Sequence, residues 1–213
     1  MTEPFWPLFR LRIRTPRLEI RLPTDDDLFK MIHVIDEGIH DESTMPFLQP
    51  WTDTPLPERH WESLKWWWSA RANWQPEKWT FTGAVFVEGE PIGMQDIAGT
   101  EFAKLRSVST GSWLGRRFQG QGLGKEMRSA ALHFAFVGLG ASEAVSGAFW
   151  DNAASLGTSR SLGYEDNGVS MALRRGVPDQ LLRLRLSREK WLPTMRSDIN
   201  IEGLSDCQAQ FGI

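Results

Sequence analysis

The sequence predicts one α+β domain built on a mixed sheet. Three observations carry that expectation. Short segments that alternate apolar and charged residues, such as 18–22 and 182–187, have the period of half-buried strands. Two strand-like runs, 80–87 and 91–98, are joined by Glu88-Gly89-Glu90, a hairpin signal. A further run, 108–114, feeds a turn with three glycines and then an amphipathic stretch from about 123 to 137.

The elements follow in order. Leu18-Glu19-Ile20-Arg21-Leu22 is a strand stopped by Pro23. Thr24 with Asp27 three residues on is a capping-box variant, and it opens a helix through about Ile35 with Leu28, Ile32 and Ile35 on one face. Residues 38–57, with Pro46, Pro50, Pro55 and Pro57, read as a long loop, and loops of that length inside a compact domain are usually functional or mobile. A second helix is expected from about Pro57 to Asn73, with Trp61, Leu64, Trp68 and Ala72 on its buried stripe. After the hairpin, strand 108–114 and helix 123–137 comes a strand at 144–149. Asp151-Asn152 then caps a short helix through Leu162, with Gly163 at the position after its end. Strands at 169–174 and 182–187 close a single domain over 1–193, and 194–213 reads as a polar tail.

Composition narrows the function classes. The chain has 213 residues, 41% hydrophobic and 24% charged, ample for a buried core. A formal net charge of −3 leaves no basic footprint for nucleic acid. The single cysteine, Cys207, cannot form an intrachain disulfide, and no Cys/His cluster has metal-ligand spacing, so no metal is expected. No apolar run approaches the roughly 18 residues of a membrane span. The first 21 residues mix arginine into every apolar stretch, unlike a secretory leader. The cytoplasm is therefore the expected compartment.

The glycine turn, Arg116-Arg117-Phe118-Gln119-Gly120-Gln121-Gly122-Leu123-Gly124-Lys125, is the most informative stretch. Three alternate glycines let a ligand approach bare backbone, and the N–H groups at the start of a helix favour an anion. A P-loop fails twice, because Gln119 stands at its first glycine position and Glu126 at its Ser/Thr position. A dinucleotide fingerprint fails because Gly120-x-Gly122-x-Gly124 is one residue too short.

Arg117-x-x-Gly120-x-Gly122 resembles instead the Q/R-x-x-G-x-G/A acyl-CoA motif of the GNAT acetyltransferase superfamily. The resemblance runs from Leu18 to about Trp191 and is greatest to the RimJ/RimL-type branch. It includes Thr15-Pro16-Arg17-Leu18 as an opening strand, Gly111-Ser112-Trp113-Leu114 before the turn, and Asn152-Ala153-Ala154-Ser155 followed by Leu162-Gly163-Tyr164. It implies a mixed, mostly antiparallel central sheet flanked by helices, with a splayed strand at the CoA site. It also implies transfer of an acyl group from acyl-CoA to an amine.

Residue roles follow from that resemblance. The backbone from Phe118 through Gln119, Gly120, Gln121, Gly122, Leu123 and Gly124 to Lys125 is expected to hold the pyrophosphate, with Arg116, Arg117 or Lys125 adding charge. Leu114 N–H is the expected oxyanion donor. Asn152 is expected to cap its helix and, with Ser155 and Ser159, to contact the cofactor. Ser159 stands where many relatives carry a tyrosine acid, so Ser155 becomes the candidate acid or thiolate donor. Tyr164 reads as core. Ser109 stands where several relatives carry a glutamate base, which leaves Asp96 and Glu101 as the candidate bases. At pH 7 an α-amine of pKa near 7.7–8 is about a tenth or more neutral, a lysine near 10.4 less than about a thousandth. A weak base thus favours a low-pKa acceptor.

The expected co-substrate is acetyl-CoA, or another acyl-CoA such as succinyl-CoA. The expected acceptor is a primary amine of a small molecule or a protein N-terminus. Eleven tryptophans, six of them between Trp61 and Trp79, include Trp66 and Trp67, which cannot share the stripe and point to a homodimer interface or an acceptor wall. The loop around Phe47 to Trp51 is placed to close over the acyl group. The alternative reading is a CoA-binding sensor or scaffold without turnover.

Overall fold

The computed structural model describes residues 5–213, so Met1 to Pro4 of the expected domain lie outside the described residues. Strands β1 (Arg12–Arg14) and β2 (Glu19–Arg21) form a hairpin. Residues 15–18, expected to open a strand, are instead its turn: Thr15 N–H donates to Leu18 O and Leu18 N–H to Thr15 Oγ1. Helix α1 (Asp25–Asp36) begins with the expected reciprocal capping box of Thr24 and Asp27. Helix α2 (Glu58–Ala72) follows the long loop, whose one regular turn is the 3-10 segment Trp51–Asp53.

The hairpin of β3 (Lys78–Val87) and β4 (Glu90–Thr100) turns on only two residues, Glu88 and Gly89, both left-handed at φ 51° and 84°. That conformation matches the twist of the strands it joins. A one-turn helix α3 (Phe102–Leu105) leads to β5 (Ser107–Leu114), the glycine loop and α4 (Leu123–His133), which continues as a π-helical turn over Phe134–Gly138. Then come β6 (Glu143–Phe149), α5 (Ala153–Ser161), and the long hairpin of β7 (Glu165–Arg174) and β8 (Val177–Ser187).

These strands form one sheet in the order β7-β8-β6-β5-β4-β3-β2-β1, and α6 (Arg188–Trp191) leads on to β9 (Asn200–Glu202), which pairs with β1 at the far edge. Every pairing is antiparallel except β5 with β6. The expected mixed, mostly antiparallel sheet flanked by helices is therefore present. One face packs on α4 and its π-helical turn through Phe81, Ile97, Phe134 and their neighbours, and the other packs on α1 and α2 through Met31, Ile35, Trp67, Phe86 and Met94.

Two expectations need correction. The segment past Pro193 is not a detached polar tail, because it carries β9 and buries Cys207 and Phe211 completely or nearly so. The Phe211 ring lies edge-on to Trp79 at 4.9 Å, and Trp74 Nε1 donates to Gln210 O at 2.7 Å. A few aromatic anchors in a polar sequence leave no periodicity to read. On α2 the buried indole is Trp67, beside buried Ser63, whereas Trp61 is 53% and Trp68 42% exposed. Three consecutive tryptophans fit more than one helical face, and the hollow between α1 and β3 selected the middle one.

Trp67→Ala should therefore cost about 3–5 kcal/mol of stability, while Trp61→Ala should stay within about 1 kcal/mol. Denaturant titration of the two variants checks this, and the reverse order would place α2 in the other register.

Candidate active site

The glycine turn forms a row of free donors. Gly120 and Gly122 have φ of 73° and 78°, a region that side chains disfavour. Gly122 caps α4 without a side-chain bond, and the first helical hydrogen bond is Glu126 N–H to Gly122 O. The N–H groups of residues 120–125 therefore meet no acceptor among the described residues. A Cβ on Gly120 would meet no protein atom within 4 Å, and one on Gly124 would meet only Leu114 Cδ1 at 3.7 Å. No protein atom fills the space over Gly120, and that space suits a ligand. Free amides at a helix start, with nothing over them, fit a pyrophosphate.

Charge around the row is arranged unevenly. Arg116 lies 3.8 Å from Asp41, and Arg117 2.9 Å from Glu37, all exposed. An incoming phosphate competes with those carboxylates through solvent, so each arginine adds little. Lys125 is exposed and pairs with no acid among the described residues. Gln119 points away from the anion site: its Nε2 donates to Ile39 O at 2.7 Å and Leu114 O at 2.8 Å, fastening the loop to β5. Gln121 Nε2 donates to Arg117 O. Both glutamines thus shape the loop, while their backbone serves the row.

Sequence reasoning left out Arg17. Its Nε lies 2.7 Å from buried Glu126, and Nη1 donates to Gln121 O at 3.2 Å. With Lys125 and Arg196 it lines a pocket of about 220 Å³ beside Gly122, reaching Ser161 and Trp191. The hydrogen bonds and charge of Thr15 and Arg17 keep Glu126 ionised below the usual carboxylate range, overcoming the opposing effect of its burial. Arg17 lies more than a hundred residues from the loop in sequence, so no local motif links them.

The strand before the loop opens away from its neighbour. β5 pairs with β6 only at Ser107, Val108 and Ser109. Beyond them β5 stays on β4 as far as Leu114, opposite Gly93. Gly115 N–H turns toward β4, to Ile92 O at 2.9 Å. By the alternation of a strand, the N–H groups of Ser112 and Leu114 face the opened side. The N–H of Leu114, the expected oxyanion donor, thus faces the opened side.

Asp96 sits at the centre of the α1/α2 face. The cross-strand row there is Thr82, Asp96 and Gly111, on β3, β4 and β5. No described residue donates to the Asp96 carboxyl, Oδ1 is buried, and the Thr82 hydroxyl beside it is likewise buried without a partner. Gly111 leaves the space next to Asp96 empty. Burial alone pushes the Asp96 carboxyl up to about 7. A wall of aromatic rings stands nearby, with Phe47 and Trp51 at 5.3 Å and Trp51 and Trp113 at 5.9 Å. The long loop carrying that wall is pinned by the β7–β8 turn. Arg175 binds Asp53 at 2.7 Å, and Arg174 donates to Met45 O at 2.8 Å.

Glu101, the other candidate base, is not at the site. It follows the far end of β4, away from the loop, with its carboxylate 2.6 Å from Lys104. On the opposite side of the splay, Asn152 caps α5 by accepting from Ser155 N–H at 3.1 Å. The Ser155 hydroxyl has no partner among the described residues and is half-buried. Ser159 is fully buried, held between Arg128 and Ser155 O, so it offers no surface to a cofactor. Its place where many relatives carry a tyrosine could not show that α4 covers it. Tyr164 is core, its hydroxyl 3.2 Å from Thr110.

A family model described as an acetyltransferase (GNAT) domain matches residues 17–165. Solved structures share the fold at low identity. RimJ of Mycobacterium smegmatis, in complex with CoA-disulfide, is 17% identical over 95% of this chain and 95% of that one, with a TM-score of 0.70. RimL, a ribosomal-protein alpha-N-acetyltransferase in complex with coenzyme A, is 16% identical over 81% of this chain and 95% of that one, at 0.64. A spermidine N-acetyltransferase chimera of the Vibrio cholerae and hSSAT proteins is 17% identical over 83% and 98%, at 0.62. At these identities the likeness is one of fold.

Proposed function

This chain belongs to the GNAT acetyltransferase family, and on that premise we propose that it acetylates a primary amine of low pKa, with Asp96 as general base. As a member of that family it is an acyl-CoA-dependent N-acyltransferase. The observation that carries the finer reading is the pairing of two features across one opened strand. On one side lie free amides at residues 120–125, and on the other a half-buried carboxyl without a partner at position 96.

In the proposed reaction the amine enters over Gly111, against Phe47, Trp51 and Trp113. Asp96 accepts the amine proton, which suits a base of pKa about 7. The nitrogen attacks the thioester carbonyl in a ternary complex, and Leu114 N–H receives the oxyanion. Ser155 stands toward the sulfur. Acetyl is favoured over succinyl because Arg59, Arg174 and Arg175, the arginines that bond the loop of the aromatic wall, are matched by Asp36, Asp151, Asp179 and Asp53. The exposed Trp61, Trp66 and Trp68 indoles on α2 support the expected self-association as a homodimer. Among the described residues no helix is long and apolar enough to cross a membrane.

A panel of amines with acetyl-CoA, read by CoA release, tests the reading. A base near 7 deprotonates an α-amine of pKa about 8 far more readily than a lysine of about 10.4, so rates should favour α-amines by at least about tenfold. Equal rates on α-amine and ε-amine acceptors contradict the assignment. Acyl-CoA binding without CoA release from any amine would leave only the sensor.

A further inference from the structure

Arg128 is the polar side chain buried beside the splay that the chemistry above does not use. It projects from α4 and is 5% exposed. Nη2 donates to Ser112 Oγ at 3.0 Å and Nη1 to Ser159 Oγ, while Nε is buried without an acceptor. No carboxylate pairs with it among the described residues. The titratable group whose charge reaches it is the Tyr164 phenol. Burial pushes that phenol above its ordinary value, so it is neutral over the working pH range. A guanidinium solvated only by two hydroxyls is an expensive arrangement, normally relieved by an anion.

Its position says which anion. Ser112 belongs to the stretch of β5 that has left β6. Ser159 lies on α5, and its hydroxyl donates to the carbonyl of Ser155 at 3.0 Å. Arg128 thus ties together the two walls of the opening through which the pantetheine arm must reach the acceptor. One negative charge arises in that opening on every turnover, on the sulfur that leaves the thioester.

We propose that Arg128 supplies the counter-charge for the departing CoA thiolate and holds the turn of α5 that carries Ser155 beside it. The inference rests on the acyl-CoA reading above. In the step itself, the amine lone pair forms the C–N bond and the carbonyl π pair moves to oxygen. Collapse of that oxyanion breaks the C–S bond, and its electron pair leaves on sulfur. The proton given up by nitrogen is balanced by the one the thiolate takes up before CoA departs. No further reactant is required. Arg128 acts on the charge of the sulfur, and the hydroxyl of Ser155 is the nearer donor.

The decisive measurement is the thiol pKa of enzyme-bound CoA. It is read from thiolate ultraviolet absorbance across pH, with desulfo-CoA complexes subtracted to cancel tyrosinate. A cation within a few ångströms should lower it by about one to three units from the value that free CoA shows under the same conditions. Arg128→Met and Arg128→Gln should return it to the free value, and Arg128→Lys should retain part of the shift. In the neutral variants kcat should fall about 10–100-fold with little change in KM, as for loss of an interaction made chiefly in the transition state. Desulfo-CoA affinity should be unchanged in all of them.

An ordinary thiol pKa in the wild-type complex overturns the proposal without any variant, as does a shift that survives Arg128→Met. A preference for succinyl-CoA that disappears in Arg128→Met also overturns it, by giving the cation to an acyl carboxylate. If neither CoA nor desulfo-CoA binds, the acyl-CoA reading itself fails and this inference falls with it.

Discussion

Asp96→Asn should lower kcat/KM by about 10²–10⁴-fold while acetyl-CoA affinity stays unchanged. The wild-type rate should climb with pH through an apparent pKa near 7, the value to which burial drives this carboxyl, and then level off. The variant should lose that limb. The same burial makes an opposite prediction for stability. Below pH about 4 the carboxyl is neutral in both the folded and unfolded chain, and nothing is lost. Between about 4 and 7 the unfolded chain ionises first, so stability drains away as pH rises through the folded value. A gap of about three units corresponds to roughly 4 kcal/mol at most. The amide introduced by the substitution cannot ionise, so Asp96→Asn should be more stable than wild type above pH 7, with the advantage vanishing near pH 4. Thermal unfolding at pH 4 and pH 8, run beside the kinetic profile, checks both halves. An inactive variant with no stability gain would make Asp96 a structural residue, because a site group held ionised at a cost is the feature at issue.

Gly120→Val should abolish acetyl-CoA binding while sparing the fold. At Gly120 a side chain meets no protein atom, so the folded chain suffers mainly the left-handed backbone, about 1–2 kcal/mol. The isopropyl group would instead occupy the space above the free N–H row. Affinity for acetyl-CoA should drop at least about 100-fold, roughly 2.7 kcal/mol. Calorimetry gives the affinity and a melting curve confirms folding. Full affinity in a folded Gly120→Val protein would remove the pyrophosphate from this loop. Arg117→Ala makes the contrast, since its exposed pair with Glu37 leaves little for the cofactor.

The parts of the site that lie close together in the chain were legible in the sequence. The strand, glycine turn and helix over 108–133 are one continuous signal, because turn glycines and helix-start donors act on their immediate neighbours. Asn152 as the α5 cap and Thr24 with Asp27 at α1 are local in the same sense, each side chain bonding a backbone N–H three residues on. Asp96 was one of two candidates, and only the register of β3, β4 and β5 separated it from Glu101. That register sets Asp96 against Thr82 and Gly111, in a hollow that leaves its carboxyl without a donor.

What the chain order could not contain is which distant residues share a space. Arg17 at the loop, Arg128 between Ser112 and Ser159, and Phe211 against Trp79 join segments tens to hundreds of residues apart. Ser159 failed as a cofactor contact for the same reason, since α4 lies over it. By itself, the sequence determined the loop proposed for the donor side of this enzyme, because main-chain amides and helix starts are governed by near-neighbour geometry. The tertiary structure alone decided which candidate carboxyl the proposal takes as base, because the ionisation of a carboxyl depends on how much water the packing of other strands and helices leaves around it.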